Sequence, residues 1–440
     1  MRLPVARQAR PPALSFPFPA QVATMDWLIP GKERLGETGL STALRGKLLV
    51  GQSGGCTAVI NSSLVGVIEE ALRQTAIPAV LGTLHGVEGL LRGELVDLGA
   101  ESRSTIQRLR QTPSAALGSC RYRLQEGDLE RIVHLFRQQD VRYFVYIGGN
   151  DSADTSHKIS MAAADMGYDL RVVAVPKTID NDLPITDHCP GYGSIARFVA
   201  QSTLDAGLDT EAMKRYDPVK LIEVMGRDAG WVAAAGALGK KSLLDAPHLI
   251  YVPEVAFSEE RFLEDVKAVH REVGYVVVVL TETVRDEKGQ VVGSEKPYFV
   301  DPFGHGYYES PAAYLCRLVA RELGLRARFD KPGTIQRMSM ALASSTDLEE
   351  AYLVGQKAVQ YAVEGRSDQM VILVREQGSH YHCTADSAPL VEIANTVKPL
   401  PAGFLNAEGN FVTPAFLDYA RPLIGSPLME YARLERRRVQ

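Results

Sequence analysis

The segment Pro176–Asp182 carries the side chains best suited to chemistry in this sequence. It contains a lysine, Lys177, and two carboxylates, Asp180 and Asp182, directly after an apolar run at 170–175. A carboxylate can act as a general base toward a hydroxyl nucleophile, and a lysine can neutralise the charge of a phosphoryl group in transfer. The alternative is a set of surface charges that satisfy one another. The position of the segment at the end of a buried strand, together with two further phosphate-suited turns, favours a catalytic loop.

Those two turns are rich in glycine, and each lies between an apolar run and a helix-like segment. The residues concerned are Gly54 and Gly55 in the turn at 51–57, and Gly149, Asp151 and Ser152 in the turn at 148–152. Glycines let a ligand approach the backbone, and a helix N-terminus offers free N–H groups to an anion. Asp151 suits a Mg²⁺ ion bound to phosphates. The alternatives are a tight turn without a ligand and a carboxylate or hydroxyl that only caps a helix.

The elements around these turns alternate between strands and helices. Strands are predicted at 47–50, 142–147, 170–175, 219–224, 248–253, 275–281, 325–330 and 369–374. Helices are predicted at 58–74, 153–166, 192–213, 231–239, 259–272, 311–323 and 347–363. The strands are continuous apolar runs, which is typical of parallel strands buried on both faces. We therefore predict an α/β protein of doubly wound architecture, in which ligands bind at the carboxyl ends of the strands.

The composition is that of a globular enzyme. Of the 440 residues, 45% are hydrophobic and 23% are charged, which excludes a disordered chain, a collagen-like fibre and a disulfide scaffold. No apolar run approaches the roughly 18 residues of a membrane helix, and a net charge of −5 gives no basic field for nucleic acid. Five widely spaced cysteines indicate reduced thiols in a cytoplasmic protein. Residues 1–45 are expected to form a flexible leader, with a transit peptide or translation from Met25 as alternatives.

Three other patterns are weaker. The sequence at 191–196 matches G-x-G-x-x-A but does not follow a strand, so it indicates a helix start and not a dinucleotide site. The segment at 380–383 has no second cluster of metal ligands nearby. A nucleophile formed by His188 and Cys189 would need a third, orienting group, and the sequence indicates none.

Taken together, seven short motifs resemble the phosphofructokinase family. They are Ser53-Gly54-Gly55, Gly118-Ser119-Cys120-Arg121, Gly148-Gly149-Asn150-Asp151-Ser152, Thr178-Ile179-Asp180-Asn181-Asp182, Met225-Gly226-Arg227, Thr281-Glu282 and Gln336-Arg337. They run in order from about residue 46 to 365, and 400–424 is similar to members that use pyrophosphate. The resemblance implies two Rossmann-like doubly wound domains with the active site in the cleft between them. The donor domain would comprise 46–191 and 336–390, and the sugar domain 192–335 and 391–440, including a C-terminal extension.

The same resemblance implies phosphoryl transfer to the 1-hydroxyl of fructose 6-phosphate, a step of glycolysis, with Mg²⁺ as cofactor. It assigns catalytic roles to Asp180, Asp182 and Lys177; donor binding to Gly54, Gly55, Arg121, Gly149, Asp151 and Ser152; metal binding to Asp151; and sugar-phosphate binding to Thr178, Met225, Gly226, Arg227, Glu282, Arg328 and Arg337. In the family the arginine at the position of Arg328 comes from a neighbouring subunit. This implies a homodimer or homotetramer.

The motifs depart from the family pattern at four positions. Lys177 and Asp151 stand where ATP-using bacterial members typically carry glycine, and a charged side chain at 151 would obstruct and repel the α-phosphate of a nucleotide. Both changes resemble pyrophosphate-dependent members, so pyrophosphate is the expected donor and the reaction should run in both directions. Asn150 replaces the usual first aspartate of its motif, and Thr334 replaces a histidine that contacts the 6-phosphate in many relatives.

Several alternatives stay open at this point. An ATP-dependent phosphofructokinase is the main one, and a related sugar such as sedoheptulose 7-phosphate could replace fructose 6-phosphate. A catalytically silent sugar-phosphate-binding subunit is opposed by the intact Asp180, Asp182 and Lys177, because a binding module needs no base. A dinucleotide-dependent oxidoreductase is opposed by the misplaced glycine pattern.

Overall fold

The computed structural model describes residues 44–302, 304, 306–378, 380–435 and 437. The expected leader at 1–45 therefore lies outside the described residues, apart from its last two positions. Within the described residues no helix is long and apolar enough to cross a membrane. All five cysteines are described, and all are free thiols.

The described chain alternates between strands and helices along most of its length. Its strands are β1 (Lys47–Gln52), β2 (Val80–Thr83), β3 (Leu95–Asp97), β4 (Val141–Gly148), β5 (Arg171–Pro176), β6 (Val219–Val224), β7 (Leu249–Tyr251), β8 (Val276–Thr281), β9 (Phe299–Val300), β10 (Gly306–Tyr307), β11 (Ala327–Asp330), β12 (Gln369–Arg375) and β13 (Cys383–Pro389). Its α-helices are α1 (Ile60–Ala71), α2 (Gly86–Arg92), α3 (Arg103–Leu109), α4 (Asp128–Gln139), α5 (Asn150–Asp165), α6 (Tyr192–Met213), α7 (Trp231–Ala234), α8 (Glu259–Val273), α9 (Pro311–Leu323), α10 (Ile335–Met338), α11 (Ser345–Val363), α12 (Leu390–Ile393) and α13 (Pro414–Ala420).

Two sheets organise these strands. The larger has the order β13-β12-β5-β4-β1-β2-β3, in which the five central strands are parallel and the two edge strands, β13 and β3, are antiparallel. The smaller has the order β11-β6-β8-β7 and is parallel throughout. A short antiparallel ribbon, β9 with β10, stands apart from both sheets.

Helices cover both faces of each sheet, as the apolar strands predict. In the larger sheet, Tyr143 and Val145 of β4 pack into a core with α1 and α11, whereas Phe144 and Tyr146 face a second core with α4 and α5. In the smaller sheet one core contains α6 and α13 and the other α8 and α9. Successive side chains of a strand point to opposite faces, so a strand buried on both sides must be apolar throughout. The predicted α/β class and doubly wound architecture are confirmed.

All eight predicted strands are present, and most shift by a residue or two at their ends. The predicted helix at 231–239 is wrong in its second half, because only Trp231–Ala234 is α-helical and 235–239 forms a 3₁₀ turn. The prediction also omitted most of the region 80–140, which contains β2, β3 and three helices. The proposed domain boundaries stay a prediction.

Helices α1 and α11 pack with their backbones in contact, which gives a test of the core of the larger sheet. A Cβ atom on Gly66 of α1 would lie 2.2 Å from the carbonyl oxygen of Tyr352, and one on Gly355 of α11 would lie 2.1 Å from that of Ser63. We expect Gly66→Ala to lower the free energy of unfolding by about 1–3 kcal/mol, because the helices must separate to admit the methyl group. Urea unfolding measures the change, provided that the native protein and the variant have the same m-value.

The matched control for this substitution is Gly403→Ala. A Cβ atom at Gly403 meets no heavy atom within 4 Å. We expect it to leave the unfolding midpoint almost unchanged. Equal midpoints for the two variants would show that the contact between α1 and α11 does not limit side-chain size.

Candidate active site

Six turns meet in one cleft because three neighbouring strands of each sheet end there. In the larger sheet, β5, β4 and β1 are adjacent and lead into the turns at 177–182, 149–152 and 53–57. In the smaller sheet, β11, β6 and β8 are adjacent and lead into 331–337, 225–227 and Glu282. The carboxyl ends of neighbouring parallel strands lie along one edge of a sheet, which explains how residues so distant in sequence come together.

The cleft contains two adjoining cavities. The first cavity is lined by residues of both sheets, among them Met225, Arg227, Glu282, Lys331, Thr334 and Arg337. The second cavity is lined mainly by turns of the larger sheet, among them Gly54, Gly149, Asn150, Asp151, Ser152 and Asp182. Both are lined by Gly55, Arg121, Lys177, Thr178, Asp180 and Arg227. The loop predicted to be catalytic therefore lies where the cavities join.

The loop at 177–182 is shaped by its own hydrogen bonds. The hydroxyl of Thr178 donates to the carboxylate of Asp182 at 3.1 Å and accepts from the backbone N–H of Asp180 at 3.1 Å. The backbone N–H of Lys177 donates to the carbonyl of Gly148, which fixes the loop to the turn after β4. These bonds direct Asp180 and Asp182 to the cleft from one rigid turn. The family resemblance implies that Thr178 also positions a sugar, and because Thr178 lines both cavities that role stays a prediction.

The electrostatics of the loop are those of a buried charge cluster. Burial, followed by the negative charge of Asp182, raises the pKa of Asp180 to about 7. Burial also raises the pKa of Asp182. Lys177 is only 3% exposed, and burial lowers its pKa to about 8. A carboxylate with a pKa near neutrality is well matched to proton abstraction at physiological pH.

Gly54 and Gly55 make room for two of the cations. A Cβ atom on Gly54 would lie 3.0 Å from Nζ of Lys177, and one on Gly55 would lie 2.7 Å from Nη1 of Arg337. Gly54 also has a φ of +76°, a region that other residues rarely adopt. The glycine pair therefore brings the backbone of the turn after β1 into contact with the positive charges of the cleft.

Three arginines line the cleft, and two of them have buried nitrogen atoms without a protein partner. Among the described residues, Nη1 of Arg227 and Nε of Arg337 are buried and make no hydrogen bond. Such groups are rare in folded proteins and often mark the place of a ligand. Arg121 differs, because its guanidinium donates to the carboxylate of Asp301 and to the hydroxyl of Tyr307 at 2.8 Å.

The M-G-R turn after β6 is tied to its neighbours through the backbone. The N–H of Met225 donates to the side-chain oxygen of Gln336 at 3.2 Å. Gly226 has a φ of +126°, which favours glycine, and it does not itself line either cavity. Burial raises the pKa of Glu282. Gln336 thus connects the turn after β11 to the turn after β6, and the backbone N–H of Glu282 donates to the carbonyl of Val224 at the end of β6.

The first turn of α5 supplies Asp151 and Ser152 to the second cavity. Asn150, at the position of the usual aspartate, uses its side-chain amide to donate to the carbonyl of Thr396 and to accept from the N–H of Asn395. No group of three or more His, Cys, Asp or Glu among the described residues could hold a metal ion. Mg²⁺ is commonly bound by one or two carboxylates together with substrate phosphates, and Asp151 fits that arrangement.

Arg328 does not line either cavity. It lies on the edge strand β11 with its side chain 52% exposed, and its Nε donates to Asp217 at 2.7 Å. The sequence analysis expected this arginine to act in the site of a neighbouring subunit. That expectation stays a prediction, since one chain alone is described.

The sequence and structure of this chain match one family of enzymes throughout the cleft. The sequence profile of the family described as phosphofructokinase matches residues 47–362. The chain belongs to the phosphofructokinase family. It is 42% identical over 385 residues to the pyrophosphate--fructose 6-phosphate 1-phosphotransferase of Xanthomonas campestris, covering 86% of this chain and 91% of the relative. It is 41% identical to the enzyme of the same name from Halomonas elongata, covering 85% and 90%.

A solved structure agrees with this assignment. The pyrophosphate-dependent phosphofructokinase of Nitrosospira multiformis superposes with a TM-score of 0.80 at 37% identity, covering 88% of this chain and 94% of that one. The phosphofructokinase fold, with two sheets and a cleft between them, is therefore established for this chain. The motifs that carried the resemblance in the sequence all fall at or beside that cleft.

Several residues of the phosphofructokinase cleft were missing from the sequence analysis. Lys331 follows β11 directly, so the rule that ligands bind after strands would have found it. Tyr307 and Tyr308 reach the first cavity from the ribbon of β9 and β10, for which the sequence gives little signal. Asn395 and Val397 line the second cavity from a segment without regular structure.

Lys398 fixes the segment that follows the loop at 177–182. Its ammonium group donates to the carbonyls of Thr186 and Asp187 at 3.0 and 2.9 Å, and its backbone N–H donates to that of Asp182 at 2.7 Å. The same ammonium group lies 5.3 Å from the ring centre of Trp231.

His188 is also fixed, because its ring nitrogens lie within hydrogen-bonding distance of the carboxylates of Asp187 and Glu350, and these bonds raise its pKa to about 9. The orienting groups that the sequence did not indicate for His188 are thus present.

The buried thiol beside His188 is nevertheless unsuited to a nucleophilic role. Cys189 is fully buried, and burial raises its pKa to about 12. A thiol is reactive as a thiolate, so this environment makes it inert. The sequence-based rejection of a Cys-His nucleophile agrees with these observations, although for a different physical reason.

We expect Lys398→Met to lower the free energy of unfolding by about 1–3 kcal/mol, because two loop carbonyls lose their donor. Urea unfolding measures the change. Lys288→Met is the control, since Lys288 is exposed and lies in a turn far from Lys398 in the sequence. A loss of stability no greater than that of the control would show that Lys398 is dispensable for holding the loop.

Proposed function

We propose that this protein transfers a phosphoryl group from pyrophosphate to the 1-hydroxyl of D-fructose 6-phosphate, giving fructose 1,6-bisphosphate. The observation that carries the proposal is the position of Asp180 at the junction of two cation-lined cavities. A base with a pKa near 7 lies between a cavity suited to a phosphorylated sugar and one suited to a short phosphate chain. Relatives about 40% identical over most of the chain bear names that state this activity.

The first cavity is proposed to bind the sugar phosphate. Arg337 has a buried, unpartnered Nε there, and a guanidinium group matches the geometry of a phosphate. Met225, Arg227 and Glu282 line the same cavity and would contact the sugar. Thr334 replaces a histidine of many relatives, so phosphate binding on this side depends on arginine and on Lys331.

The second cavity is proposed to bind the donor. Gly54, Gly55 and Gly149 offer backbone close to the ligand, and Ser152 lies in the first turn of α5, where the free N–H groups favour an anion. Arg121 would pair with the donor by exchanging its bond to Asp301 for one to a phosphate oxygen. Asp151 would hold Mg²⁺ together with the donor's oxygens, and the ion would neutralise charge on the phosphates.

The chemical step needs a base and a positive charge at the transferred group. Asp180 takes the proton of the sugar's 1-hydroxyl as that oxygen attacks the phosphorus atom and pyrophosphate loses the bond to its departing phosphate. Lys177 lines both cavities and would neutralise the charge that develops on the transferred group. Asp182 would keep the pKa of Asp180 high and support the metal.

Self-association completes this proposal. Arg328 is exposed on the edge strand of the smaller sheet and lies outside both cavities of its own chain. An arginine placed there could reach the sugar phosphate of a second subunit, which would make a homodimer or homotetramer the active form.

Asp180→Ala is expected to lower kcat by at least about a hundredfold while the affinity for fructose 6-phosphate changes little, because a general base contributes to the transition state and little to binding. Steady-state kinetics and calorimetric titration with the sugar phosphate separate the two effects. Asp418→Ala is the control, since that side chain is 78% exposed on α13. Equal losses of turnover and binding in Asp180→Ala would indicate a structural role.

The pH dependence of the native enzyme tests the same assignment. Asp180 is active when ionised, so with a pKa of about 7 the rate should be full above that pH and fall as the pH drops through it. Asp182→Asn removes the negative charge that raises this pKa, so the acidic limb of the profile should move to lower pH. An unchanged limb would show that the titrating group is not Asp180.

The donor is tested directly with purified protein, fructose 6-phosphate, Mg²⁺ and either pyrophosphate or ATP. We expect turnover with pyrophosphate, and we expect Asp151→Gly to weaken it by at least about tenfold while permitting some turnover with ATP, because a charged obstacle is removed. Turnover of the native protein with ATP alone would overturn the proposed donor. An unchanged preference in Asp151→Gly would refute the steric argument.

A further inference from the structure

A segment near the C-terminus, residues 394–398, closes one side of the second cavity. Asn395 and Val397 of this segment line the cavity beside the start of α5. The segment has no regular structure between α12 and the following 3₁₀ turn. No sheet or helix fixes its position, so the segment is held by the bonds of Lys398 to residues 182–187 and by contacts around Asn395.

Those contacts are with the first turn of α5. The side-chain amide of Asn150 donates to the carbonyl of Thr396 and accepts from the N–H of Asn395. The side-chain amide of Asn395 in turn donates to the carboxylate of Asp154 at 3.1 Å. An aspartate at 150 could accept from Asn395 but could not donate to Thr396, so the asparagine suits this attachment better than the residue usual in the family.

A smaller outer cavity lies on the far side of this attachment. It is lined by Arg123, Leu124, Asp151, Asp154, Thr155, Lys158 and Asn395. Only Asp151 and Asn395 also line the second cavity, as far as the described residues go. These two side chains therefore form a partition between the space proposed for the donor and the space next to it.

We infer that Asn395 is a second residue that restricts the donor to a short diphosphate, acting with Asp151 as the other half of this partition. The inference rests on the proposed function. A donor longer than pyrophosphate needs space beyond that of two phosphates, and the outer cavity adjoins the second cavity at Asp151 and Asn395. The side chain of Asn395 cannot move aside without breaking its hydrogen bond to Asp154, and Asn150 fixes the backbone of residues 395 and 396 that carries it. Removing Asp151 alone therefore leaves half of the obstruction in place.

The backbone at Asn395 allows a clean test. Its φ is +60°, which glycine adopts without strain. Asn395→Gly therefore removes the side chain from the partition and keeps the backbone N–H that bonds to Asn150. The experiment compares Asp151→Gly with the double variant Asp151→Gly/Asn395→Gly, using kcat/KM for ATP and for pyrophosphate.

We expect the ratio of kcat/KM with ATP to kcat/KM with pyrophosphate to be at least about tenfold higher in the double variant than in Asp151→Gly, because both halves of the partition are gone. Calorimetric titration should show that ADP binds more tightly to the double variant than to Asp151→Gly. The matched control is Asp151→Gly/Asp140→Gly, since Asp140 also has a positive φ of 53° but ends α4 with a side chain 61% exposed. It should behave as Asp151→Gly.

An equal ratio and equal ADP affinity in Asp151→Gly and the double variant would overturn the inference. If circular dichroism shows that the glycine double variant is unfolded, Asp151→Gly/Asn395→Ser is measured in its place. Serine shortens the side chain at 395 less than glycine does, and it should raise the ratio in the same direction. No rise there would equally overturn it. A native protein that turns over ATP and not pyrophosphate would instead refute the proposed function, so the two failures are distinguishable.

Discussion

Charge held away from water at the junction of two sheets is the constraint on which this structure depends. Burial of an ionised side chain is costly unless other charges or hydrogen bonds compensate for it. At the junction, Lys177 and Arg227 offset Asp180 and Asp182 only in part, because the pKa of Lys177 is lowered and that of Asp180 is raised. A fully neutralised cluster would leave nothing to bind two anionic substrates. The incomplete compensation therefore follows from the chemistry proposed for the site.

Such a cluster requires a loop that cannot move toward solvent, and residues from distant parts of the chain hold this loop in place. Asn181 lies at a φ of +55°, donates to the hydroxyl of Tyr419 and accepts from the N–H of Cys189. At the end of the loop, the carboxylate of Asp347 accepts from the first N–H groups of α6, where a helix N-terminus favours negative charge. The C-terminal region thus positions the loop proposed to be catalytic, although it contributes few side chains to the cleft.

The sequence predicted the parts of this structure that depend on local chemistry. Continuous apolar strands predicted parallel strands covered on both faces, and the polar turns after three of them predicted the side of the cleft that the larger sheet forms. The family resemblance then supplied the division into two domains and the turns of the smaller sheet. Local patterns could not reveal Asn395, Lys398 or Tyr307, whose places are set by contacts with residues more than a hundred positions away. Helix α4 was omitted although Leu129, Ile132, Val133 and Phe136 have helical spacing, so the signal was present there.

The two cavities are built by different means, and this difference bears on how specificity can change. The first cavity is lined by long side chains such as Arg227, Glu282 and Arg337, so selectivity for the sugar phosphate proposed to bind there would be spread over many contacts. Besides the charged side chains that it shares with the first, the second is lined by glycines and by the start of a helix, which suit a phosphate chain of any length. Discrimination between donors on that side must then come from the few side chains that obstruct the way out. Substituting those few side chains leaves in place the backbone proposed to bind the phosphates. Donor specificity should therefore be easier to alter than sugar specificity.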